Sequence, residues 1–190
     1  MLDTGILIPL AAALFVGVGL LVAVVKWQLG KRSAAAQQRW VHGAYSIWTG
    51  GEDSAAWHPE KAQGSLAAWY GATTATAFWE VIRDLRSGTT GNPAWDRVRA
   101  LDLLRIGRAA DFVDEEGCSN ECARIGQELQ RVYTGWDQLA QGFEAGMHAW
   151  QQSRGIDDAD QRNRVQRNLP MLRGRIWPEA PFRTTLTVEE

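Results

Sequence analysis

The chain has 190 residues, 45% of them hydrophobic and 22% charged, with a formal net charge of -2. This length supports one globular core, and the near-neutral balance excludes recruitment of nucleic acid by overall charge. Ten Trp against three Tyr supply large apolar area with one donor each to satisfy, which suits a core and requires no ligand.

Residues Ile6 to Val25 read ILIPLAAALFVGVGLLVAVV, without a charge. Twenty residues of helix rise about 30 Å, the thickness of the hydrocarbon core of a bilayer. The run lacks the polar face of a helix at a domain surface. It reads as a transmembrane helix; a cleaved signal peptide would start on basic residues and carry a shorter apolar run. Asp3 precedes the run, whereas Lys26, Lys31, Arg32 and Arg39 follow it, so the positive-inside rule places the following domain in the cytoplasm. Trp27 falls at interfacial depth, and the basic flank suits anionic lipid heads. Ala13 and Gly17 form a small-xxx-small pair that leaves a homo-oligomer open.

After the membrane segment, Gln37 to Trp48 places Trp40, Val41, Ala44, Ile47 and Trp48 at amphipathic helical spacing. Gly50 and Gly51 end it, and GGEDSAAWHP reads as a loop. Pro59 suits the first turn of a helix reaching Tyr70, which Gly71 ends. Thr73, Thr74 and Thr76 offer caps for a helix with Phe78, Val81, Ile82 and Leu85 on one face, closed by Ser87 and Gly88.

Asn92 and Pro93 open the next helix as cap and first residue. Trp95, Leu103, Ile106 and Ala110 share one side of it, and Arg99 and Asp102 fall between them. Arg99 stands three residues from both Asp96 and Asp102, close enough on a helix to pair. Two readings stay open: an ion pair that sets helix register, or an Arg held by carboxylates to bind an anion or a partner. Asp114, Glu115 and Glu116 favour the start of a further helix, striped with Cys118, Cys122, Ile125, Leu129 and Val132. The cysteines read as small core residues; one helical turn apart, they suit neither a disulfide nor, without a second pair or a His, a metal. His42, His58 and His148 are scattered singly.

Thr134 and Asp137 resemble a capping box before a helix striped with Trp136, Leu139, Ala140, Phe143, Met147 and Trp150. Gly142 and Gly146 weaken that helix on propensity, which a close helix crossing would explain. DDADQRNRVQRNL reads as a polar helix. Arg162, Arg164, Arg167, Arg173 and Arg175 form the one concentrated basic region, either a solvated surface or a contact for anionic lipid or an acidic protein. Pro170, Pro178 and Pro181 are expected to break regularity, and TTLTVEE reads as a frayed tail or a short strand.

The runs AWDRVRALDLLRIGRAADFVDEEGC and LQRVYTGWDQLAQGFEAGMHAW resemble the bacterial family of domain of unknown function 1266. Trp95, Asp96 and Arg99, then Phe112, then Trp136, Gly146 and Trp150 match its pattern, and RIWPEAPF resembles its closing segment. The likeness covers roughly residues 66–182. Asp111 and Phe112 stand where Gly-Tyr is common, and Gly135 where Ser is common. The resemblance implies an all-helical bacterial domain with Trp95, Trp136, Gly146 and Trp150 in its core, and it brings no activity or catalytic residues.

The expected fold is therefore all-α: one transmembrane helix in residues 1–32, a compact domain of about six or seven helices in 33–182, and a tail in 183–190. The expected location is the bacterial inner membrane, single-pass, with the domain cytoplasmic. No phosphate-cradling Gly loop, nucleophile elbow, metal spacing or cofactor motif occurs, so neither metal nor cofactor is expected. The function read from this is protein-protein interaction without catalysis. An immunity or accessory protein of an antibacterial toxin or secretion system is one alternative. The other is an enzyme in which Asp96, Arg99 and Asp102 converge with Glu144 and His148.

Overall fold

The computed structural model describes residues 4–52, 57–88 and 90–189, without the side chains of residues 4–23, 27 and 29. It is helical, with no strand among the described residues. The chain divides into two units, Met1–Ala35 and Ala36–Glu190. Residues 4–35 of the first unit are the leading part of one helix, α1 (Thr4–Thr49). Nothing in the sequence between Val25 and Gln37 stops a helix except Gly30, so the expected span and the expected helix from Gln37 belong to one element. Among the described residues no helix is long and apolar enough to cross a membrane. The side chains of most of the run 6–25, including Ala13 and Gly17, and that of Trp27 lie outside those described.

The second unit is built around α4 (Pro93–Ala109). Asn92 caps it by accepting from Trp95 N, and Pro93 occupies the first turn where its missing N–H costs nothing. Ten of its residues are buried, more than one apolar stripe provides, because α2 (Pro59–Tyr70), α3 (Ala75–Ser87), α5 (Glu115–Val132) and α6 (Trp136–Arg154) surround it. Gly71, Gly88 and Gly155 close α2, α3 and α6 in the left-handed conformation, which glycine adopts without a Cβ penalty. Thr74 caps α3 and Asp114 caps α5. Trp40, Ala44 and Ile47 of α1 are fully buried in the same core.

Glycines set the helix spacing. A Cβ on Gly146 of α6 would lie 2.5 Å from Trp95 Cβ, and one on Gly107 of α4 would lie 2.3 Å from Phe78. The helix-weakening glycines are thus sites of close approach, as expected for Gly146 and Gly142.

Several local expectations are corrected. The capping box at Thr134 is absent: Gly135 is the cap residue, and Thr134 bonds through its N–H and hydroxyl to Gln138 Oε1. Val132 ends α5 with 53% exposure and leaves the apolar stripe. The polar helix after Gly155 divides at Asn163 into α7 (Ala159–Arg162) and α8 (Arg164–Met171). Pro170 sits inside α8, and the following Leu172–Ile176 turn widens to a π-helix. Residues 183–189 are neither frayed nor a strand; they lie extended against α5 and α1, with Leu186 buried.

Candidate functional site

The three charges singled out on α4 take separate partners. Asp96 is fully buried and accepts from Thr90 N at 3.2 Å and Thr90 Oγ1 at 2.9 Å, tying down the loop before the helix. Asp102 pairs at 2.6 Å with Arg105, at the same three-residue spacing as the expected Arg99. Burial pushes the Asp102 carboxyl up, and the charges of Arg105 and Arg99 oppose that rise. Arg99 forms no ion pair among the described residues. Its Nη2 donates to Tyr70 Oη at 3.0 Å, and its guanidinium stands 4.8 Å from the Trp95 ring and 5.4 Å from the Tyr70 ring. An aromatic clamp fits the planar, delocalised cation and frees Asp102 for Arg105, which lies 4.2 Å over Tyr45.

On the opposite side of α4, a groove of about 470 Å³ opens between α3, α4 and α5. Trp79, Ile82 and Arg83 form the α3 wall, Arg97 the α4 wall, and Glu121 and Glu128 the α5 wall. Arg86 bridges Glu121 and Glu128, while Arg97 reaches Glu128 at 2.7 Å and Arg124 reaches Glu121 at 3.2 Å. Glu121 and Glu128 are seven residues apart, which places both on one face of α5. Burial would raise the Glu128 carboxyl, but the hydrogen bonds and charges of Arg97 and Arg86 hold it below the usual range. Burial likewise opposes the Arg86 charge, and the two glutamates overcome it and raise its pKa. A one-helix wheel of α5 offers only the Arg124–Glu121 pair of this network, because the pairs made by Arg86 and Arg97 join different helices. The heptad spacing of the glutamates and Arg86 in the last turn of α3 were the available signals.

The basic region is largely neutralised. Arg162 pairs with Asp157, Arg167 with Asp160 and Arg173 with Asp137. Arg164 lies 4.5 Å over Trp48, and Arg175 is exposed. Among the residues considered for an enzyme, Glu144 accepts from Gln166, and no hydrogen bond joins any two of Asp96, Arg99, Asp102, Glu144 and His148 among the described residues. Cys118 and Cys122 are free thiols on α5; a hydrogen bond from Cys122 lowers the Cys118 thiol and raises its own. No group of three or more His, Cys, Asp or Glu able to hold a metal stands among the described residues.

The family-pattern residues meet at the α4–α6 crossing and beside it. Trp95 packs on Phe143 and Trp150 with ring centroids 5.0 and 5.6 Å apart, above the Gly146 contact. Trp136 stacks on Trp177 at 5.7 Å, and its Nε1 donates to Ala180 O at 2.7 Å. The closing RIWPEAPF segment is thereby held against α6 and α1, with Trp177 Nε1 donating to Gly43 O and Trp40 Nε1 to Phe182 O. No curated protein and no solved structure matches the chain. The family model described as "Protein of unknown function (DUF1266)" matches residues 31–182, which include α1 from Lys31, every later helix and this closing segment, and the chain belongs to that family.

Proposed function

We propose that this protein is a membrane-tethered helical domain that works by binding another protein, with residues 6–25 as the anchor and the helical unit on the cytoplasmic side. The observation that carries the reading is the uncharged run of twenty residues, bounded by Asp3 before it and by Lys26, Lys31, Arg32 and Arg39 after it. Val24 and Val25, its last two residues, are 49% and 48% exposed, which suits contact with lipid. Interaction is favoured over chemistry because the α4 charges are engaged in fixed pairs and clamps rather than gathered around a shared reacting position.

Affinity purification of the tagged full chain from detergent-solubilised native membranes tests the binding role. One stoichiometric protein should be recovered, and a toxin in that position would specify an immunity role. Recovery of the chain alone, at native abundance and without a partner, would contradict the interaction reading.

A further inference from the structure

The segment 182–189 is held by side-chain amides that address its main chain. Gln130 Nε2 donates to Phe182 O at 2.6 Å and to Thr184 O at 2.9 Å, and Gln127 Nε2 donates to Leu186 O at 2.8 Å. Gln37 Oε1 accepts from Thr187 N at 2.8 Å, while its Nε2 is oriented by Ser119. Asn120 engages both sides of Glu189, accepting from its N–H at 2.7 Å and donating to its carbonyl at 3.1 Å. Asn120, Gln127 and Gln130 lie within an arc of about 80° on α5 and cover about 15 Å of its length. An extended chain covers about 17 Å between residues 184 and 189. The two spacings match, with the segment antiparallel to the helix.

Phe182 packs its ring on Trp40 and Trp136 as part of the core, Val188 is partly buried, and beyond Phe182 the one fully seated side chain is that of Leu186. Leu186 is 4% exposed and fills a notch over Gly126, where a Cβ would lie 2.4 Å from Leu186 Cδ1 and 2.8 Å from Trp40. Its neighbours Thr185 and Thr187, together with Arg183 and Glu189, face solvent, as the two-residue period of an extended chain dictates. Such a surface recognises any extended chain that carries one leucine-sized anchor, because main-chain groups are common to all sequences. Its receptor residues all lie within the family-matched stretch, and residues 183–189 lie just beyond it.

We propose that the face made by α5 and by Gln37 and Trp40 of α1 is a receptor for extended peptide. The chain's own residues 183–189 occupy it at rest, and an extended segment of a partner protein with a leucine-sized anchor displaces them. This rests on the interaction reading above and names the chemistry of the partner. Its failure is separable, since a co-purifying partner bound elsewhere would leave the anchored interaction domain intact.

The test is fluorescence anisotropy of a labelled peptide with the sequence of residues 181–189, titrated with the full chain in detergent micelles. Leu186→Ser in the chain weakens the resident segment and should tighten peptide binding at least ten-fold. Adding Gln127→Ala and Gln130→Ala to that chain should weaken it again at least ten-fold. A folded Leu186→Ser chain that binds no peptide, or binds it no better than wild type does, overturns the proposal. Should that variant fail to fold, hydrogen exchange on the wild-type chain decides: the Thr187 and Glu189 amides should exchange at least a hundred-fold faster than those in the middle of α4. Equal protection would make the segment a permanent part of the fold and overturn the proposal.

Discussion

Single residues decide how closely the helices meet. At Gly146 the added Cβ would press on Trp95 Cβ and on Asn92, both attached to the start of α4, so relief requires moving a helix. Gly146→Ala should therefore destabilise the domain by about 2–3 kcal/mol even though alanine favours helix by about 1 kcal/mol; urea unfolding followed by circular dichroism measures it. The tryptophans give a paired contrast. Trp136 Nε1 has a buried carbonyl partner, whereas the buried Trp95 Nε1 has no hydrogen-bond partner among the described residues. Trp136→Phe strands the Ala180 carbonyl and should cost about 1 kcal/mol more than Trp95→Phe, which strands nothing. Equal losses in the same unfolding assay would remove the hydrogen bond from the account. Trp95, Trp136 and Gly146 were legible as core from helical spacing and likeness. The carbonyls that accept from Trp136 and Trp40 were not, because Ala180 and Phe182 are brought in by chain turns that periodicity does not encode.

Helices were legible where local chemistry marks both ends. Asn92-Pro93, Thr74, Gly71 and Gly155 set boundaries through caps that act within four residues. Between helices the signal faded: Asp102 pairs with Arg105 while Tyr70 and Trp95 clamp Arg99, and Tyr70 comes from α2, outside any wheel of α4. The α3–α4–α5 network predicts a pH dependence. Glu128 has its carboxyl held down in the fold, so its contribution is complete above the ordinary value of about 4.3 and is lost as pH falls through the lower folded value. Asp102, raised by burial, acts in the opposite sense: its contribution is present below the ordinary value and is lost as pH rises through the folded one. Glu128→Gln should destabilise the domain by about 1–2 kcal/mol at pH 7, with the gap to wild type shrinking below about pH 4. Urea midpoints at pH 7 and pH 3.5 check this, and a gap unchanged between the two would remove Glu128 as the titrating group.

For the whole molecule, the family match from residue 31 to 182 and the division of the chain at Ala35 separate a helical domain from the segment that leads into it. The domain explains itself by packing: α4 is wrapped on several sides, and the closing segment is fastened by indole N–H groups. The anchor proposed for the leading segment rests on its sequence, an uncharged run of bilayer length with basic residues after it. Alkaline carbonate extraction of membranes from cells producing the full chain tests this most directly, with Leu20→Arg and Val16→Arg introduced together as the comparison. The wild-type chain should stay in the membrane pellet and float with lipid, and the doubly substituted chain should move to the supernatant. Release of the wild-type chain by carbonate would contradict a membrane-spanning anchor in residues 6–25.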